Sequence, residues 1–222
     1  MTQSLRAVLF DLDGTLVDTA PDFAYVINTM RRSRDLKEIP YAKIREVVSD
    51  GARGLVQMAF PQQLDPTEFE ILRQELLTLY RQHLADNSRL FDGMEKVLSA
   101  IETRGLRWGV VTNKPFFYAE PLMQALGLSE RCSALICPDH VKARKPDPES
   151  LLLACTQLNC AAVDAIFIGD HRRDIEAGKN AQMPTVACAY GYVHNDDPCT
   201  QWQADFIVET AADLLPLLGK LA

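Results

Sequence analysis

Apolar and polar positions follow two different periods along this chain. Short β-rich apolar runs occur at Ala7–Phe10, Trp108–Val111, Ala134–Cys137, Ala165–Ile168, Thr185–Ala189 and Phe206–Val208. Runs this short and this apolar mark strands buried on both faces, as in a parallel sheet. Between them lie stretches with helical spacing and recognisable ends. One opens at Asp92-Gly93 and stops near Gly105, and a second runs from Phe116 to Leu126 with Gly127 as its stop. A third comes after the turn Pro146-Asp147-Pro148 and continues through Leu151–Leu158. Strands alternating with helices predict an α/β fold, with a Rossmann-like parallel sheet as the core.

The segment from Asp18 to Asn87 breaks that rhythm. It carries no strand pattern and reads as successive helices. Asp18 or Thr19 can cap the first, with Pro21 in its opening turn, and Phe23, Val26, Ile27 and Met30 then share a face. Thr67-Glu68-Phe69-Glu70 reads as the capping box of a long helix whose apolar stripe is Phe69, Leu72, Leu76, Leu79 and Leu84. The predicted organisation is a core formed by residues 1–15 and 91–222, with residues 16–90 inserted after the first strand as a helical cap.

Composition narrows the class. An apolar fraction of 47% over 222 residues can bury a sizeable core. The net charge of −7 speaks against nucleic acid or an anionic membrane as a partner. No apolar run approaches the roughly 20 residues that cross a bilayer, and the first strand is entered with no export-signal pattern. A cytoplasmic protein is expected. On that view Cys132, Cys137, Cys155, Cys160, Cys188 and Cys199 are reduced thiols rather than a disulfide framework. The spacing of Cys132, Cys137 and His140 matches no standard zinc site.

Candidate chemistry collects where strands end. The first apolar run leads directly into Asp11-Leu12-Asp13-Gly14-Thr15. Alternate residues of an extended segment point the same way, so Asp11 and Asp13 can face one small volume. Two carboxylates that close repel unless a cation or a shared proton offsets them. Thr112-Asn113-Lys114 comes after the second run, Lys145-Pro146 lies past the third, and Gly169-Asp170 with Asp174 comes after the fourth. Ligands of doubly wound sheets bind beyond the carboxyl ends of the strands. Carboxylates there suit Mg²⁺, which keeps waters and shares a phosphate oxygen, and a lysine and a hydroxyl suit the remaining phosphate oxygens. Each residue also has an ordinary reading. Thr112 can be a strand-end hydroxyl, Lys145 a surface lysine, and Asp170 and Asp174 can cap the helix through Ile175–Ala181. Their order and shared placement favour the site.

In that order the four motifs resemble those of the haloacid dehalogenase superfamily, and the helical insert resembles its C1-type cap. The short interval between Thr112 and Lys145 leaves little room for a second large cap. The resemblance implies phosphoryl transfer from a small phosphomonoester through an aspartyl phosphate, with Mg²⁺ as cofactor. It implies Asp11 as nucleophile and Asp13 as acid and then base. Thr112 and Asn113 would bind the phosphate, and Lys145 would stabilise the nucleophile and the transferring charge. Asp170 would hold the metal with Asp11 and the backbone carbonyl of Asp13, and Asp174 would support it.

Within the superfamily the chain looks most like the phosphoglycolate phosphatase branch. The likeness lies around Asp50-Gly51-Ala52-Arg53-Gly54, Val110–Pro115 and Cys137–Lys142. Some members of that branch act on N-acetylmuramic acid 6-phosphate. Both substrates carry a carboxylate near the phosphate, so Arg53, in the polar turn Ser49–Gly54, is a candidate specificity residue. His171 departs from the small or acidic residue usual after the last motif's first aspartate, which makes Mn²⁺ worth testing beside Mg²⁺. A phosphosugar mutase would keep every motif. A dehalogenase would not need Asp13, and a receiver-type signalling module would lack the cap.

Overall fold

Strand β1 (Ala7–Phe10) is buried on both faces along its whole length. That burial requires a strand on each side and a helical layer above and below. The computed structural model, which describes residues 5–60 and 64–221, supplies both. Residues 1–4, 61–63 and 222 of the core and cap ranges lie outside the described residues. A short antiparallel ribbon of β2 (Val17–Asp18) and β3 (Arg89–Leu90) comes after β1 and frames the helical segment. Strands β4 (Arg107–Val111), β5 (Leu135–Ile136), β6 (Ala165–Gly169), β7 (Thr185–Cys188) and β8 (Phe206–Val208) join β1 in a six-stranded sheet. Its order is β5-β4-β1-β6-β7-β8, with every pair parallel.

Between β2 and β3 run α1 (Ala20–Arg32), α2 (Tyr41–Val47), α3 (Gly51–Ala59) and α4 (Pro66–Gln82). They have an apolar cluster of their own. Phe23, Val26, Ile27 and Met30 of α1 meet Ile44 of α2, Leu55 and Val56 of α3, and Leu72, Leu76 and Tyr80 of α4. The buried Asp22 carboxylate accepts from the backbone N–H of Asn87 (2.7 Å) and of Ser88 (3.1 Å), which pins the end of the segment to its beginning.

One helix start differs from the sequence reading, and another has the expected N-cap residue without its side-chain bond. The capping box of α4 is Asp65 with Glu68, not Thr67 with Glu70. Asp65 accepts from the N–H of Thr67 (2.7 Å) and Glu68 (3.0 Å), and Pro66, which lacks an N–H, takes the first helical position. Leu84 falls beyond the end of this helix. Thr19 precedes α1, but its hydroxyl donates to Asp13 instead of capping. The hydroxyl of Tyr192, from the loop after β7, accepts from the N–H of Thr19 (2.7 Å) and Ala20 (2.8 Å) in its place.

The remaining helices are α5 (Met94–Thr103), α6 (Phe116–Ala125), α7 (Glu149–Gln157), α8 (Arg172–Asn180) and α9 (Leu214–Leu221). Period-two alternation sorts the sheet residues between the two layers. Val8 and Phe10 pack with Leu98 and Ile101 of α5, Leu122 of α6 and Leu214 of α9. Ala7 and Leu9 pack with Leu151 and Ala154 of α7 and Ala177 of α8. Because β1 lies between β4 and β6, the residues just beyond those three strands emerge side by side.

Candidate active site

Asp11 leaves β1, Thr112 leaves β4 and Asp170 leaves β6, all at one edge of the sheet. Lys145 enters from the segment after β5. Its side chain is fully buried, with Nζ 2.9 Å from Asp11 Oδ1 and 2.8 Å from Asp174 Oδ1, and it donates to the carbonyl of Val111 at 2.8 Å. Its buried ammonium thus faces two carboxylates and one carbonyl, the company a buried charge requires. Burial disfavours its charge, but the Asp11 and Asp174 carboxylates outweigh that and raise its pKa. Asp174 has two duties. Oδ1 meets Lys145, while Oδ2 accepts from the His171 N–H at 3.0 Å and caps α8. One carboxylate therefore both caps α8 and pairs with Lys145.

Asp170 accepts from the Thr15 hydroxyl (2.7 Å) and from the Tyr192 backbone N–H (2.9 Å). Asp11, Asp170 and Asp174 each offer an oxygen within 4.8 Å of the others. Burial pushes Asp11 up to about 6 and Asp170 up to about 7. Lys145 pairs with Asp11 and Asp174 but not with Asp170, so among the described residues the three carboxylates have a single paired cation. Hard oxygen donors with that deficit fit a divalent cation such as Mg²⁺. Gly14 is shaped to the same group. Its φ is +87°, and a Cβ there would lie 2.2 Å from Asp170 Oδ2, so only glycine lets the turn pass this carboxylate. The Asp13 side chain stands apart, with Oδ1 accepting from Thr19 Oγ1 (2.6 Å) and Lys114 Nζ (2.9 Å).

A cavity of about 740 Å³ opens over this corner. Asp11, Asp13, Thr112 and Lys145 line its sheet side, and Arg53, Arg73, Leu77 and Tyr80 line its helical side. The polar turn expected over Ser49–Gly54 is a single 3₁₀ turn, Val48–Asp50, running straight into α3. Arg53 thus sits in the first turn of a helix, with its guanidinium over the Phe69 ring at 5.3 Å. Arg73 is tied to Glu70 at 2.6 and 2.8 Å, whereas Arg53 has no ion pair among the described residues. Thr112 accepts from the Lys114 N–H at 3.1 Å, and the Asn113 amide donates to the Lys145 carbonyl at 3.1 Å, which braces the lysine's loop. His171 is the N-cap residue of α8, its Nδ1 accepting from the Arg173 N–H at 3.2 Å. Burial lowers its pKa to about 4, so the ring is neutral near pH 7.

Three participants were given no partner by the sequence, although Thr15 and Lys114 stand in its strand-end motifs. Thr15 and Tyr192 hold Asp170, and Lys114 holds Asp13. A lysine two residues past a strand-end threonine was visible in the sequence, but nothing local paired it with Asp13. Tyr192 meets Asp170 and Thr19 only through the fold.

Known proteins are similar to this chain in sequence and fold. The profile of the family described as haloacid dehalogenase-like hydrolase matches residues 8–188. An N-acetylmuramic acid 6-phosphate phosphatase from Pseudomonas aeruginosa is 51% identical over 216 residues, 97% of this chain and 96% of that protein. A phosphoglycolate phosphatase from Xanthomonas campestris is 44% identical over 209 residues, 94% of each chain. A crystal structure of a predicted phosphoglycolate phosphatase from Haemophilus somnus has a TM-score of 0.85 at 29% identity, covering 98% of this chain and 99% of that one.

Proposed function

This chain belongs to the haloacid dehalogenase-like hydrolases, and we propose that it is a Mg²⁺-dependent phosphatase acting through an aspartyl phosphate on Asp11. The observation that carries the reading is the buried group at the end of β1, in which Asp11 is held by Lys145 beside Asp170 and Asp174. Asp11 Oδ1 accepts from the Leu12 N–H at 2.8 Å as well as from Lys145, which leaves Oδ2 to attack phosphorus. As the new P–O bond forms, the bond to the leaving group breaks and Asp13 gives the departing alkoxide a proton. Asp13 then takes a proton from water, whose oxygen attacks the phosphoryl group and frees Asp11. Lys145 offsets charge on Asp11, and Thr112 and Asn113 take the transferring phosphate. Asp11, Asp170 and the backbone carbonyl of Asp13, with support from Asp174, would hold Mg²⁺, which would supply further charge neutralisation at the phosphate.

The helical segment 16–90 acts in this reading as a cap that chooses the leaving group. A cavity of about 740 Å³ falls within the roughly 300–1,000 Å³ of pockets that enclose whole organic ligands. It favours a sugar phosphate over the two-carbon phosphoglycolate. The 51% and 50% identity to N-acetylmuramic acid 6-phosphate phosphatases supports the same choice. Arg53 is the guanidinium for that substrate's carboxylate. We place the reaction in the cytoplasm, where the six free cysteines would stay thiols.

A phosphate-release panel with N-acetylmuramic acid 6-phosphate, 2-phosphoglycolate, hexose phosphates and nucleotides tests this reading. The sugar acid phosphate should exceed 2-phosphoglycolate at least tenfold in kcat/KM. Equal rates on the two would overturn the substrate assignment. Transfer of the phosphoryl group to a second sugar hydroxyl, with no phosphate released, would mark a mutase.

A further inference from the structure

One nearly buried cation in the cavity wall has no part in the mechanism above. The Lys114 side chain is 7% exposed, and its Nζ lies 2.9 Å from Asp13 Oδ1. It also lies 4.6 Å from the ring centroid of Tyr80 and 5.2 Å from that of Phe23. Those two rings belong to α4 and α1 and stack on each other at 4.0 Å. The cap therefore gives Lys114 an aromatic seat, and the core gives it a carboxylate.

The consequence falls on Asp13. Its Oδ1 accepts two hydrogen bonds, from Thr19 Oγ1 at 2.6 Å and from Lys114. A proton placed on that oxygen would cost one of them. Oδ2 has no donor among the described residues, so it is the oxygen left to exchange a proton. Two donors on one oxygen also fix the plane of the carboxylate. We propose that Lys114 is a positioning residue for Asp13, seated by the Phe23–Tyr80 stack of the cap and aiming Asp13 Oδ2 at the reacting oxygen. The proposal rests on the reading of Asp13 as the acid and base. It adds that the acid is set only while the helical layer covers the core.

Leaving-group dependence tests it, because a residue that merely holds the fold together would slow all substrates alike. Phosphorylation of Asp11 by a sugar phosphate requires a proton for the alkoxide, whereas p-nitrophenolate departs without one. Single-turnover phosphoenzyme formation should therefore fall at least tenfold more with the sugar phosphate than with p-nitrophenyl phosphate in Lys114→Met, with KM within about threefold of wild type. Tyr80→Phe, which keeps the ring, should preserve the wild-type ratio, and Tyr80→Leu should shift it in the direction of Lys114→Met. If Lys114→Met fails to fold by circular dichroism, the two Tyr80 variants decide alone. Equal slowing of both substrates overturns the proposal, as does a change confined to KM, which would make Lys114 a substrate-binding group. If wild type forms no phosphoenzyme with either substrate, the reading of the active site has failed instead.

Discussion

Two walls face each other across the cavity. On the sheet side Asp11, Lys145, Asp170 and Asp174 are all buried, and Lys145 alone contacts two of the carboxylates. On the helical side Arg53 is exposed and rests on an aromatic ring, while Arg73 is tied to a glutamate. Charge fixed in a buried site costs no reorganisation when the reaction moves charge, and this is where electrostatic catalysis is strongest. Exposed guanidiniums on helices contribute little to stability and can meet whatever group a substrate presents. Under the proposed function, the buried wall would carry the chemistry and the helical wall would select the substrate.

The largest effect is expected from breaking the rigid wall. Lys145→Met leaves Asp11 and Asp174 without their shared cation, and removing one partner of a buried ion pair typically costs about 3–5 kcal/mol. Chemical denaturation should read a loss of that size. A loss below about 1 kcal/mol would mean that the buried charges are not mutually dependent.

Arg53→Ala probes the opposite wall. Stability should stay within about 0.5 kcal/mol of wild type, as for exposed residues generally. KM for a carboxylate-bearing phosphate should rise about tenfold, the equivalent of roughly 1.4 kcal/mol, against little change for p-nitrophenyl phosphate. Equal changes in KM for both substrates would remove Arg53 from the specificity site.

The smallest effect concerns pH. Burial raises the folded-state pKa of Asp11 to about 6 and of Asp170 to about 7, from an ordinary value of 3.8. Between the ordinary and the raised values the folded chain binds more protons than the unfolded one. Stability without a cation should therefore fall as pH rises through that window. A divalent cation binds the ionised forms, so the gain in Tm from saturating Mg²⁺ should grow between about pH 5 and about pH 8. A gain that shrank over that range would sink the assignment of these carboxylates to the metal.

The same contrast explains how much could be read from the sequence. Strands β1, β4 and β6 announce themselves as apolar runs, and the residues directly after each run are placed by chain continuity alone, so Asp11, Thr112 and Asp170 were legible. Asp174 was legible as a cap of α8 from its spacing after Asp170. The helical side was harder. Asp65-Pro66 displaced the expected start of α4, since the proline needs no N–H and aspartate caps as well as threonine does. The β2–β3 ribbon has two residues per strand, too few to show a period. Lys114 and Tyr192 were missed because their partners lie on distant parts of the chain, and local patterning carries no long-range pairing.

In the proposed reaction Asp11 carries the phosphoryl group. Rapid acid quench during turnover, with mass spectrometry of the peptide containing Asp11, tests it most directly. One phosphoryl group is expected on Asp11 in the Mg²⁺-loaded wild type. Asp11→Asn should form no phosphoenzyme and lose at least about a thousandfold in phosphate release. A phosphoryl group found on another residue, or substantial phosphate release by Asp11→Asn, would contradict it.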